Sequence, residues 1–235
     1  DWDLTQVTPV LKAGVDGVSR DMVATVGKDG ILRTLDKRTH QPLYETPITT
    51  ILNADIPVTR EGVVACPGVT GGVLWSSPAY HPGEKILLTS SIDYCSRFRA
   101  AGNVRFIPGQ LYMGGDARHE GDMSGWITAV DVESGETRWK HQTEFPNVAA
   151  VTTTAGGLAI SGTLAGDLLF FDVATGAVLN SIATGAQIGG GNISYSVEGK
   201  QHIAVGSGLG MLTIRPPQLG LPRQSSIIVY ALPSN

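Results

Sequence analysis

The residues of this chain that can do chemistry are few and scattered. Lys28 stands directly before Asp29-Gly30, between the apolar runs "DMVATVG" and "ILRTLD". A lysine beside a tight turn can hold a positive donor against developing negative charge. The same spacing also describes an ordinary solvated hairpin lysine. Cys66 and Cys95 are the only cysteines and have no histidine at ligand spacing, so they do not read as a zinc motif. They read as a disulfide if the protein is exported, or as two buried thiols if it is cytosolic. The five histidines (His40, His81, His119, His141, His202) include no i, i+4 pair, which argues against a histidine metal cluster. Gly189-Gly190-Gly191 lacks the strand–glycine–helix context of a phosphate loop. The locally basic run "SRFRAAGNVRF" reads as a solvated loop, or as one that shapes the entrance to a site or docks a partner.

Composition narrows the scaffold that must position these groups. A net charge of −4 and a pI near 5.7 offer nucleic acid no broad basic field. Charged residues are 16% of the chain, against roughly 25% in an average domain, and 30 of the 235 residues are glycine. Low charge, many glycines and short apolar runs describe an all-β protein with many tight turns. No apolar run approaches the roughly 18 residues needed to span a membrane, and no signal-peptide pattern is seen. The opening "DWDLTQVTPV" has no initiator methionine and reads as the interior of a longer polypeptide.

The apolar runs pair as hairpins. "GLAISGT" and "LLFFDVA" flank Leu164-Ala165-Gly166-Asp167, and "NISYSV" and "HIAVGSG" flank Glu198-Gly199-Lys200. Over the hairpins lies a repeat. "AVDVESGETRW" and "FFDVATGAVLN" share an Asp (Asp131, Asp172) followed by a Ser/Thr-Gly turn. "TLDKRTHQPLY" is a weaker copy headed by Asp36, with His40 in the glycine place. A period of about 40 residues with four strands is the signature of a propeller blade. The aspartate caps the turn, glycine takes the positive-φ position, and a tryptophan at the far end can pack between blades. The expected blades are 1–50, 70–143 with an insertion, 147–185 and a partial 190–233. Three and a half blades leave open edges, so the ring requires another chain or a longer polypeptide.

These residues resemble the pyrroloquinoline quinone (PQQ)-dependent alcohol dehydrogenases, eight-bladed periplasmic quinoproteins. The repeat is similar to that family's tryptophan-docking motif, Ala-x-Asp-x-x-x-Gly-x-x-x-Trp. Trp139 keeps the tryptophan, whereas Tyr44 and Asn180 replace it, leaving the girdle incomplete. "DWDLTQVTP", "GKDGILRTLD", "CPGVTGGVLWSSPAYHP", "TTTAGGLAISGTLAGDLLFFDVATG", "ISYSVEGKQHIAVGSG" and "SIIVYALP" also resemble family segments, in order along the whole chain. The resemblance implies the C-terminal part of such an enzyme, as a single domain over 1–235.

It further implies the site. Lys28 takes the place of the Lys or Arg that contacts the quinone oxygens, and Cys66 and Cys95 are cross-linked. Relatives often have a cofactor-bonding Asn at Leu74; leucine cannot replace it. Trp75 borders the pocket or serves as a core tryptophan. Asn147 offers a polar contact, and Val148 stands where methanol enzymes have a tryptophan against the cofactor. The catalytic base and the ligands of a Ca²⁺ or lanthanide ion are expected upstream of this chain, which sets Asp1 and Asp3 aside and leaves no catalytic or metal residue here. The glycine run would lie near the propeller axis, against the cofactor edge. The implied activity is PQQ-dependent oxidation of a small alcohol to an aldehyde or ketone, with a cytochrome c or quinone as electron acceptor, dependent on the N-terminal portion. The alternatives are a PQQ-dependent sugar or polyol dehydrogenase and a non-catalytic propeller scaffold for protein assembly.

Overall fold

A computed structural model describes residues 3–4, 6–103, 105–110, 113–208, 220 and 224–232. The described residues form strands and turns only. β1 (Val10–Val15), β2 (Val18–Val26), β3 (Ile31–Asp36) and β4 (Pro42–Pro47) make the first antiparallel sheet, in that order. The second contains β5 (Val63–Ala65), β6 (Ala79–His81), β7 (Ile86–Ala100), β8 (Gly115–Asp131) and β9 (Thr137–Thr143). Its order is β5-β7-β8-β9, with β6 also pairing β7. The third runs β10 (Thr152–Thr153), β11 (Leu158–Gly162), β12 (Asp167–Asp172), β13 (Val178–Ala183), and the fourth β14 (Asn192–Val197), β15 (Lys200–Ser207), β16 (Ser226–Ala231).

Alternation along the strands gives each sheet apolar faces, and those faces stack the sheets in chain order. Met22, Ala24, Val26 and Leu32 of the first sheet pack on Leu87 and Val130 of the second. Ile86, Leu88, Ile127 and Ala129 of the second meet Ala159 and Phe171 of the third. Ile160, Leu168 and Phe170 of the third meet Val205 of the fourth. The fold is all-β, with its sheets stacked as successive propeller blades.

The repeated turns share one geometry. Asp36, Asp131 and Asp172 each turn Oδ1 onto backbone N–H groups two or three residues on: Arg38 and Thr39 (both 2.9 Å), Glu133 and Ser134 (2.9 and 2.8 Å), and Thr175 (2.8 Å). The fifth residue donates its N–H to the aspartate carbonyl and has positive φ: +62° at His40, +77° at Gly135 and +74° at Gly176. An aromatic from the preceding sheet lies on each glycine. A Cβ on Gly135 would stand 2.5 Å from the Tyr44 ring, and one on Gly176 2.5 Å from the Trp139 indole. Tyr44 Oη donates to the Val132 carbonyl and Trp139 Nε1 to the Val173 carbonyl, both at 3.0 Å. Burial pushes the Tyr44 phenol up to about 12. Tyr44 therefore docks as Trp139 does, and the gap expected there is filled. Asn180, by contrast, is exposed.

Two local expectations shift. Gly27 O accepts from Gly30 N at 3.0 Å, so the turn centres on Lys28-Asp29 and Gly30 follows it at φ +71°. The basic run is only partly a loop, since Ser96–Ala100 extend β7 against β8 and β5 pairs alongside them. Arg97 makes two 3.1 Å hydrogen bonds to Glu120 across this arm, which turns an apparently solvated charge run into paired strand.

Candidate functional site

Lys28 is held by three segments. Its N–H donates to the Asp3 carbonyl (3.2 Å) and its carbonyl accepts from Gly72 N (2.7 Å), while Gly27 O takes Val73 N (3.1 Å). Gly71 and Gly72 are required by this approach: a Cβ on Gly71 would stand 2.3 Å from Lys28 Cβ, and one on Gly72 2.5 Å from Gly30 Cα. From the other side Ile48 N donates to Gly30 O (2.9 Å), and the Thr49 side chain fills the space a Gly30 Cβ would need. The Lys28 side chain is 15% exposed and its Nζ donates to Asp3 Oδ2 at 2.9 Å, the Asp3 side chain being 52% exposed. The chain thus presents a carboxylate and an ammonium together. Asp3, set aside in the sequence, is the carboxylate paired with Lys28, while the turn's own Asp29 is taken by Ile31 N and Arg33; Asp1 lies outside the described residues.

Cys66 and Cys95 are disulfide-bonded, with Cα atoms 4.4 Å apart. The bond fastens the start of the 66–75 segment to β7. Beside it, Tyr94 O accepts from Gly68 N (2.9 Å), Tyr94 Oη from Thr70 N (2.8 Å) and Ser96 Oγ from Val69 N (3.0 Å). The disulfide and these bonds carry Gly71 and Gly72 onto the Lys28 turn.

The same segment ends in two side chains of opposite fate. Leu74 is buried with Ile92, Tyr94, Val148 and Leu164. Trp75 is 58% exposed at φ +58°, with Ser76 N donating to Leu74 O at 2.6 Å. A bulky side chain in the left-handed region is a strained arrangement that persists only when its neighbours fix it. Here Leu74 is anchored in the core and Ser76 Oγ donates to the Val148 carbonyl at 3.3 Å. Trp75 is therefore not a core tryptophan, and its ring is free to cover a flat ligand. Val148 is buried in that same cluster.

Asn147 is 1% exposed. Its Oδ1 accepts from Ala149 N (3.1 Å), while Nδ2 is buried without a partner among the described residues. A buried unpartnered amide N–H costs about 1–3 kcal/mol. Next to this segment, Ala150 N donates to Gly190 O at 3.1 Å, and a Cβ on Gly190 or Gly191 would meet nothing within 4 Å. Segments 27–30, 71–76, 147–150 and 190–192 are thus linked, directly or in turn, by backbone and side-chain bonds. A cavity of about 250 Å³ lies elsewhere, lined by Val58, Val69 and Met113 among others and by Phe98, Arg99 and Ala100 of the basic run, but by none of Lys28, Trp75, Asn147 and Val148. Among the described residues no group of three or more His, Cys, Asp and Glu side chains could hold a metal ion.

No family model matches the chain. It is 27% identical over 234 residues to a lanthanide-dependent methanol dehydrogenase of Methylacidiphilum fumariolicum, covering 89% of this chain and 38% of that protein. It is 28% identical to a quinoprotein ethanol dehydrogenase of Pseudomonas aeruginosa, covering 66% and 27%. A europium-containing methanol dehydrogenase structure superposes with a TM-score of 0.84 at 22% identity, over 98% of this chain and 48% of that one. The chain therefore spans well under half the length of the curated relatives named here. By sequence it is a relative of the quinoprotein alcohol and methanol dehydrogenases, matching a part of them, and its fold is theirs.

Proposed function

We propose that this chain is the C-terminal portion of a PQQ-dependent alcohol dehydrogenase, an eight-bladed propeller whose remaining blades come from another chain or another stretch of polypeptide. The four sheets serve as one domain, with blades near 1–50, 70–143, 147–185 and 190–233. The observation that carries the reading is the Lys28–Asp3 pair, 2.9 Å apart on a turn clamped beneath the disulfide-anchored 66–75 segment. A cytosolic scaffold has no use for that bracket, and the disulfide supports a periplasmic location.

The residues fit the cofactor. PQQ would supply the two-electron acceptor for oxidation of the alcohol carbon. The Lys28 ammonium would face its carbonyl oxygens and offset the charge that grows there. Asn147 Nδ2 would donate to one of its oxygens, and Trp75 would cover a ring face. Asp3, half-exposed beside Lys28, would take the hydroxyl proton of a small alcohol, in place of a base upstream of this chain. A Ca²⁺ or lanthanide ion would be held mainly by residues outside the chain. The electron acceptor would be a cytochrome c or a quinone.

The test is spectroscopic and kinetic. Lys28→Ala in the full-length protein should weaken quinone binding, read from the bound cofactor's absorption. Asp3→Asn should keep the absorption and lose turnover with a dye acceptor. Full turnover by Asp3→Asn would refute its role. Sustained alcohol oxidation by residues 1–235 alone, given PQQ and Ca²⁺, would refute the need for further blades.

A further inference from the structure

Three side chains on one face of the second sheet converge on the strap that supports the Lys28 turn. Asp93 on β7, Trp126 on β8 and Lys140 on β9 are diagonal neighbours in the strand register, since Asp93 pairs Ser124 and Trp126 pairs Gln142. Lys140 Nζ lies 4.3 Å from the centre of the Trp126 ring and donates to the Ile48 carbonyl at 2.9 Å. Trp126 Nε1 donates to Asp93 Oδ2 at 2.7 Å, and Asp93 Oδ1 accepts from Thr50 N at 3.0 Å. Ile48–Thr50 is thus held by its carbonyl at one end and its N–H at the other.

The strap passes that constraint to the site. Ile48 N donates to Gly30 O, and Thr49 Oγ1 would lie 2.1 Å from a Cβ on Gly30. Any displacement of Ile48–Thr50 moves the wall on which Gly30, two residues from Lys28, rests. The cluster suits the purpose physically. A cation over an indole face and a charge-assisted bond to the indole N–H are directional and partly shielded from water. Burial pulls the Lys140 ammonium below its usual range, opposed by the charge of Asp93, as expected of a lysine drawn inward to reach a backbone carbonyl.

We propose that Asp93, Trp126 and Lys140 are positioning residues that set the place of Lys28 through the Ile48–Thr50 strap. The proposal rests on the assignment of Lys28 to the quinone site. None of the three touches Lys28, and their effect is indirect.

The experiment is done on the full-length protein with Asp93→Ala, Lys140→Met and Lys140→Arg. Hydrogen exchange over residues 27–31 and 46–51 is compared with that over 158–172, and alcohol kinetics are measured in parallel. Asp93→Ala and Lys140→Met should speed exchange in the first two segments and leave the third unchanged. Both should lower kcat by about 10- to 100-fold, the loss expected from a misplaced group at a reacting centre. KM should hold within about twofold, because a displaced Lys28 acts on the charge that develops during reaction rather than on binding of the neutral alcohol. Lys140→Arg keeps a cation over the ring and should restore most of kcat. Unchanged exchange in the two variants overturns the clamp. Faster exchange with unchanged kcat, in a protein that Lys28→Ala inactivates, overturns the link to Lys28. A Lys28→Ala protein with normal turnover overturns instead the reading on which the proposal rests, and exchange then decides the clamp alone.

Discussion

Gly176→Ala is the sharpest test of how the sheets are joined. Gly176 sits at φ +74°, where an alanine costs about 1–2 kcal/mol for its Cβ alone. That Cβ would also stand 2.5, 2.6 and 2.9 Å from three atoms of the Trp139 indole, so the ring must leave. Leaving breaks the 3.0 Å bond from Nε1 to the Val173 carbonyl, worth about 1 kcal/mol. It also breaks the stack on Phe171, whose centroid lies 6.0 Å away, worth about 0.5–1.5 kcal/mol. The loss should total about 3–4 kcal/mol, read as a lower urea midpoint at unchanged slope. Two controls separate the contributions. Gly199 has φ +77° with nothing within 4 Å of a Cβ, so Gly199→Ala should show only the conformational part. In a Trp139→Ala background, Gly176→Ala should fall to that same part, giving a coupling of about 2 kcal/mol. If Gly176→Ala costs no more than Gly199→Ala, or is as costly without Trp139, the docking argument is wrong.

Three further outcomes follow from the same geometry. Replacing Cys66 and Cys95 by serine releases a loop with a sequence separation of 29, which loop-closure entropy values at about 3.5 kcal/mol, measured by denaturation with and without reductant. His40→Gly should stabilise the protein by about 0.5–1 kcal/mol, because His40 holds φ +62° and glycine adopts that region freely; a lower melting temperature would contradict this. Acid should loosen the three aspartate turns. The Thr39 amide and the Arg20 guanidinium hold Asp36 down to about 2 from an ordinary 3.8. Asp172 is lowered by the Thr175 hydroxyl and amide, and Asp131 lies low because its turn amides and Arg138 outweigh burial. A depressed folded value gives stability that is complete above the unfolded value and lost as pH falls from about 4 towards 2. Urea midpoints across that window should drop, and Asp36→Asn should flatten the drop.

The turns were legible because their chemistry is local. An aspartate followed by glycine at a fixed offset states both the cap and the positive φ within five residues, so the repeat and the hairpins could be read directly. Contacts between sheets could not. Tyr44 looked like a missing tryptophan because what it shares with Trp139 is a way of docking, in its case onto Gly135 and the Val132 carbonyl nearly ninety residues away. Asp3 was set aside because the resemblance puts the base upstream of this chain; its pairing with Lys28, 25 residues on, depends on a chain segment folding back and has no local signature. Asn147 and Val148 illustrate the limit of adjacency. Both are buried in the segment between β9 and β10, one with an unpartnered amide and the other packed on Leu74 and Ile92, a difference set by the path of that segment rather than by composition. The β7–β8 arm was hidden because paired charges across a ladder read, one strand at a time, as a solvated run.

The docking geometry also says what kind of neighbour each outer face can accept. At Gly135 and Gly176 the aromatic occupies the space a Cβ would need. His40 stands at the equivalent place in the first turn and has that Cβ, so no tyrosine or tryptophan can settle on the Asp36 turn as Tyr44 and Trp139 settle on theirs. At the seam between the third and fourth sheets Asn180 takes the aromatic's position, exposed and with no indole to offer. Two of the three seams within this chain therefore share one chemistry, and the third seam and the outer face of the first sheet have another. The first and fourth sheets still carry apolar side chains outward, including Val10, Val18, Ile193, Ile227 and Val229. Apolar area of that kind favours a covering surface, and whatever covers the first sheet must meet a histidine-bearing turn without an aromatic ring. A blade that joins there must be held by its face and its strands, which makes that seam distinct from the two aromatic-docked seams within this chain.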